Sequence, residues 1–168
     1  MPVITNFQFE QQVSGLTKFI QTNTRGLQSI SQGSSDSVTA TYVFSRGSGK
    51  YTSQIQILIL YNQNYSSPVM HFRISVLDQE SHNSITSQVL VDESTSFEDI
   101  ESWSSVTTES EIHQVIKLRP EFQIALKDVP RYGIWWFIHP CDTTKLLQNS
   151  PADEFLVNWF SIYGNWLL

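Results

Sequence analysis

The 168-residue sequence is poor in the residues that build cross-links, with one cysteine, Cys141, and four histidines. A single thiol excludes an internal disulfide and any zinc site assembled from several cysteines. Long apolar runs are missing as well. The most apolar stretches, Ile55 to Tyr61 and Ile134 to Ile138, fall far short of the ~20 residues that a membrane-spanning helix needs. No integral membrane segment is therefore expected. The start, Met-Pro-Val-Ile-Thr-Asn, lacks the basic residues and apolar core of a signal peptide, so a cytoplasmic protein is the expectation. Positive charge is scarce: ten Lys and Arg against sixteen Asp and Glu give a net charge of −6. That balance argues against a nucleic-acid partner. No histidine pair has metal-ligand spacing and no glycine-rich loop follows a phosphate-binding pattern, so neither metal nor cofactor is expected.

What is present suffices for a folded domain. A hydrophobic content of 40%, with 12% aromatics, fills a core, and the length suits one domain over 1–168. Phe9, Val13, Leu16 and Ile20 recur at helical spacing, with Thr5 or Asn6 as cap and Gly26 beyond the end. Val38, Ala40, Tyr42 and Phe44 alternate with polar residues, the period of a half-buried strand. Arg46 to Lys50 reads as a hairpin connection leading to a return strand at Ile55 to Tyr61. The turn Asn62 to Ser67 then precedes a third strand at Val69 to Leu77, and Leu27 to Ile30 offers a short edge strand. Between Arg73 and Lys117 there is no Lys or Arg. This acidic, Ser/Thr-rich stretch, at about 78–114, reads as a mobile, solvated excursion, with an extended piece at Ser87 to Val91. Docking on a basic partner surface is its alternative reading.

Beyond it, Phe122 to Leu126 and Arg131 to Ile138 are β-prone. Ser150-Pro-Ala-Asp153 has the pattern of a capping box and predicts a long C-terminal helix. Phe155, Trp159, Ile162 and Trp166 would form its apolar stripe, packed on the sheet. The element order predicts an α+β fold: a three- or four-stranded antiparallel meander with a helix at each end.

The chemistry gathers at His139-Pro-Cys-Asp-Thr143. Proline at 140 biases His139 towards an extended conformation and discourages further strand, so the chain turns at Cys141. Two readings of the thiol stay open at this point: a buried inert side chain and a surface nucleophile. His139 either braces the turn or lowers the thiol pKa. Asp142 and Thr143 either cap the next turn or orient an incoming amine. A cysteine protease fits poorly, because His71, His82 and His113 lie on a strand or in the acidic stretch without any recognisable signature.

Trp135 to Thr143, followed by a tryptophan-rich terminal segment to Leu168, resembles the autophagy-related protein 10 family in its fungal form. These are ubiquitin-conjugating-type (E2-like) enzymes of autophagy. A second matching region runs from Leu60 and Tyr61 through Tyr65 to Pro68–Arg73. The resemblance implies a curtailed ubiquitin-conjugating fold. It also implies that Cys141 receives the ubiquitin-like autophagy-related protein 12 as a thioester from the E1-like autophagy-related protein 7. Transfer then goes to a lysine of autophagy-related protein 5, in the cytoplasm and at the autophagosome assembly site. As in that family, the cysteine follows His-Pro directly and the asparagine of ordinary ubiquitin-conjugating enzymes is missing. The resemblance therefore points to Tyr65 as a supporting residue, with His139 as a second and Asn62 and Asn64 as weaker candidates. A binding-only relative of the same fold and a thiol hydrolase are the alternatives.

Overall fold

The computed structural model describes residues 4–33, 36–46, 51–78, 119 and 121–168. The acidic stretch beyond Asp78, the expected piece at Ser87 to Val91 and the connection after Arg46 lie outside the described residues.

The first helix, α1, spans Asn6–Asn23. Thr5 Oγ1 accepts the Gln8 N–H at 3.2 Å, while the Thr5 N–H donates to Gln8 Oε1 at 2.9 Å. This reciprocal capping box satisfies two backbone donors that the helix itself cannot. Phe9, Val13, Leu16 and Ile20 are all fully buried. At roughly 1.5–3 kcal/mol for each side chain, that stripe is the main reason the helix forms. Gly26, at φ 74°, then turns the chain into the sheet.

Six strands follow: β1 (Leu27–Gly33), β2 (Ser37–Arg46), β3 (Tyr51–Asn62), β4 (Ser67–Asp78), β5 (Ile124–Val129) and β6 (Gly133–Ile138). Their order is β1-β2-β3-β4-β6-β5, and every neighbouring pair is antiparallel. The expected meander is thus β1 to β4, and the sheet is larger than expected because the β5–β6 hairpin joins its edge. One row of residues crosses all six strands: Ile30, Ala40, Ile57, Phe72, Trp136 and Leu126, each register partner of the next. Alternation puts this whole row on the face that α1 covers, in one core.

The C-terminal half of the helical layer differs from the expectation. A one-turn helix, α2 (Thr143–Leu146), precedes α3 (Phe155–Tyr163), and a 3₁₀ turn at Asn165–Leu167 follows. The Ser150 to Asp153 pattern does not open a helix. Pro151 O instead accepts the Glu154 N–H in a turn, and Ser150 Oγ accepts the Asn158 amide at 2.8 Å. The cap of α3 comes from α1: Gln12 Oε1 accepts the Leu156 N–H at 2.9 Å, and Gln12 Nε2 donates to Ala152 O at 2.7 Å. Phe155, Leu156, Trp159, Phe160 and Tyr163 are buried in the core, as the stripe requires, while Ile162 and Trp166 are half-buried.

The other face of β4 and β6 carries a second set of contacts. The buried Arg73 guanidinium lies 4.0 Å from the centre of the Trp135 ring. It donates to Ile134 O at 2.9 Å and to Tyr132 O at 2.7 Å. Beside it Gly133 has φ 82°, and a Cβ there would stand 2.9 Å from the guanidinium. Gly133→Ala is therefore expected to lower stability by about 1–2 kcal/mol from backbone strain alone. Urea unfolding at constant pH checks this.

His71 occupies the same face, buried between its register partners Leu58 and Phe137. Its Nδ1 lies 3.1 Å from Leu58 O, and because a carbonyl only accepts, Nδ1 carries the proton. Burial, helped by the positive charge of Lys127, pushes its pKa down from 6.5 to about 4. The unfolded imidazole thus protonates first on acidification. The stability it contributes is complete above pH 6.5 and is lost as the pH falls towards 4. Unfolding free energy should drop in this window by up to about 1.4 kcal/mol per pH unit from this group. His71→Gln should remove that slope, and an unchanged slope would assign it to another residue.

Candidate active site

The turn bearing Cys141 is built from the end of β6. The His139 N–H still donates to Gln123 O at 2.8 Å, one step beyond the β5–β6 register. Pro140 has no N–H to give, so the ladder stops there. Its carbonyl instead accepts the Thr143 N–H at 3.0 Å, and Asp142 O accepts the Leu146 N–H at 2.9 Å. Four residues, 139 to 142, carry the chain from strand to one helical turn. Pro140 is buried beneath this bend, whereas Cys141 and Asp142 are exposed. Exposure removes the buried-thiol reading.

His139 is half-buried, and its ring packs at 4.7 Å on Phe137, which in turn lies 6.4 Å from His71. The imidazole therefore continues an aromatic column along the sheet face. Asp142 makes no capping bond to α2, contrary to that expectation, because its backbone (φ −94°, ψ 1°) already adopts the turn rather than a cap conformation.

Tyr65 lies in the β3–β4 turn and is 42% exposed. Asn62 Oδ1 accepts the backbone N–H groups of Asn64 and Tyr65, at 2.9 and 3.3 Å, so Asn62 is occupied in holding the turn. Asn64 is exposed. Because β4 is antiparallel to β6, with His71 opposite Phe137, the beginning of β4 adjoins the end of β6. The Tyr65 turn and the Cys141 turn thus share one end of the sheet. Among the described residues no hydrogen bond or ring contact joins the two.

One pair near Cys141 escaped the sequence reading. Thr143 Oγ1 and Tyr163 Oη lie 2.8 Å apart, both buried. The sequence offers Thr143 only as a cap or an orienting group, and spacing puts Tyr163 merely beside the apolar stripe of Phe155, Trp159, Ile162 and Trp166. The available signal was a tyrosine on a buried helix face, since a buried phenol requires a polar partner. Burial raises the Tyr163 pKa; the Thr143 hydrogen bond opposes this, while negative charge on Asp142 and Cys141 reinforces it.

Among the described residues no group of three or more His, Cys, Asp or Glu side chains is placed to hold a metal ion. No helix among them is long and apolar enough to cross a membrane.

A family model described as autophagocytosis associated protein, active-site domain, matches residues 6–167. The chain is 27% identical over 122 residues to a ubiquitin-like-conjugating enzyme ATG10 of Pichia angusta, covering 68% of this chain and 73% of that protein. The solution structure of KmAtg10 superposes with a TM-score of 0.67 at 17% identity, over 98% of this chain and 99% of that one. A crystal structure of the autophagic E2 Atg10 gives 0.59 at 20% identity, over 98% and 96%. These two likenesses establish the fold, an E2-like α+β sheet with flanking helices. With nearly its whole length matched, the chain belongs to the autophagocytosis-associated protein family, as an E2-like conjugating protein of the Atg10 type.

Proposed function

We propose that Cys141 carries the ubiquitin-like autophagy-related protein 12 as a thioester and passes it to a lysine of autophagy-related protein 5. The E1-like autophagy-related protein 7 supplies the activated acyl group. The observation that carries this reading is the exposure of the chain's single thiol on a proline-set turn, within a match to an active-site domain. The reaction is two acyl transfers. The Cys141 thiolate attacks the E1 thioester carbonyl and the E1 thiolate leaves. The lysine amine then attacks the Cys141 thioester, and the tetrahedral oxyanion collapses to an isopeptide with release of the Cys141 thiolate. Tyr65, at the same sheet end, is proposed to donate a hydrogen bond in the lysine step in place of the missing asparagine. His139 is proposed to hold the turn in position through its packing on Phe137. The chain works as a single conjugating domain in the cytoplasm, and at the autophagosome assembly site through its partners.

Incubation with the E1-like enzyme, the ubiquitin-like protein and ATP is expected to give a reductant-sensitive adduct on a non-reducing gel. Cys141→Ser should give a reductant-resistant ester in its place. Absence of any adduct on the parent chain would refute the transfer reading. If the chain still bound the ubiquitin-like protein, that result would favour a non-catalytic binding module. Tyr65→Phe should charge normally yet discharge to lysine roughly 10- to 100-fold more slowly. Discharge at the parental rate would take Tyr65 out of the mechanism.

A further inference from the structure

The segment after Cys141 has little to hold it by itself. Helix α2 is one turn long, and Asp142 gives it no side-chain cap. So short a helix is not stable alone. Among the described residues, the Thr143–Tyr163 pair is the only side-chain hydrogen bond from Cys141–Leu147 to another element.

Tyr163 is itself firmly held. Its ring stacks on Phe122 at 4.8 Å with 13° between planes, and on Trp159 at 5.4 Å with 27°. Phe122 immediately precedes Gln123, whose carbonyl receives the His139 N–H. One side chain is therefore linked to the chain on both sides of Cys141 through its neighbours' side chains. Its hydroxyl meets Thr143, two residues after the sulfur, and its ring meets Phe122, the neighbour of the residue that accepts the N–H of His139, two residues before the sulfur.

We propose that Tyr163 is a positioning residue for Cys141, fixing the nucleophile's turn from both sides through Thr143 and Phe122. Acyl transfer depends on the geometry at the sulfur, so a turn freed at one end loses rate more than affinity. The inference deepens the transfer reading and rests on it for its kinetic consequences. Its structural half, the restraint of the thiol, stands apart from that reading.

The experiment uses the full chain with Tyr163→Phe, Thr143→Val and Thr143→Ser, together with the Tyr163→Phe/Thr143→Val double variant. Tyr163→Phe keeps the stacked ring and deletes only the hydroxyl. Because Cys141 is the only cysteine, its alkylation by iodoacetamide at fixed pH reads the thiol's environment directly. Tyr163→Phe and Thr143→Val are expected to change the alkylation rate at least threefold. Discharge of the thioester to lysine should fall about tenfold in kcat, with KM for the target changed less than twofold. Thr143→Ser, which keeps the hydroxyl, should restore both to near the parental values. The double variant should be no worse than either single one, as for one shared interaction. Parental alkylation and discharge in Tyr163→Phe would overturn the proposal, and so would a loss of stability with both rates unchanged. If the parent chain forms no thioester, the transfer reading fails, while alkylation still decides whether Tyr163 restrains Cys141.

Discussion

The site depends on a narrow seam. Among the described residues, only His71–Phe137 and Phe72–Trp136 are paired where the β1–β4 meander meets the β5–β6 hairpin, and the hairpin carries the Cys141 turn. Backbone bonding at two positions would leave such a joint free to splay. Arg73 extends it by side chain: its guanidinium covers Trp135 across the seam and donates to the carbonyls of Tyr132 and Ile134. A buried guanidinium is costly unless its donors are satisfied, and these carbonyls take one N–H from Nε and one from Nη2, in the geometry that a planar fork supplies. Trp135 Nε1 donates to the same Tyr132 carbonyl at 2.8 Å, so the hairpin's own turn is locked to the residue that locks the seam. A lysine at position 73 has one point of charge and could not serve both carbonyls and the ring together.

On the opposite face, the apolar row across the sheet needs a cover, and two helices from the two ends of the chain provide it. Apolar packing, which is non-directional, holds both in one core, and Gln12 adds a directional tie between them. One amide spans α1 and the start of α3, accepting from Leu156 and donating to Ala152. This ties α1 to the start of α3, the helix that carries Tyr163 to its bond with Thr143. The chain ends converge on the site through packing that no local segment contains.

The elements legible in the sequence are those set by local periodicity. The α1 stripe, the alternation of β2 and the hairpins around it follow from spacing alone, because each buries a face that its own residues define. The β4–β6 seam is different: it pairs residues more than sixty positions apart, and neither strand's pattern names its neighbour. The start of α3 was misplaced for a related reason. Ser150 to Asp153 satisfies every local rule for a cap, yet Gln12 supplies a better placed acceptor from another helix, and the helix begins where that acceptor is. At the site, Pro140 announced the turn, while the exposure of the thiol within it is a finding of the structure. The Thr143–Tyr163 bond was hidden because it depends on where α3 begins.

The exposure of Cys141 places a condition on the chemistry proposed for it. In water, a hydrogen bond or a nearby charge does little to stabilise an oxyanion; the same groups act strongly only where solvent is excluded. Neither Cys141 nor Tyr65 is shielded within the described fold. Exclusion of water must then come from the docked acyl donor and the acceptor protein, which close over the sheet end from outside. The division of labour follows from this. On the proposed reading, the chain would supply a sulfur held by Pro140, His139 and the buried hydroxyl pair, and its partners would supply the low-dielectric surroundings. An exposed thiol of that kind would be open to the large acyl proteins exchanged on it. It becomes effective only when they are in place.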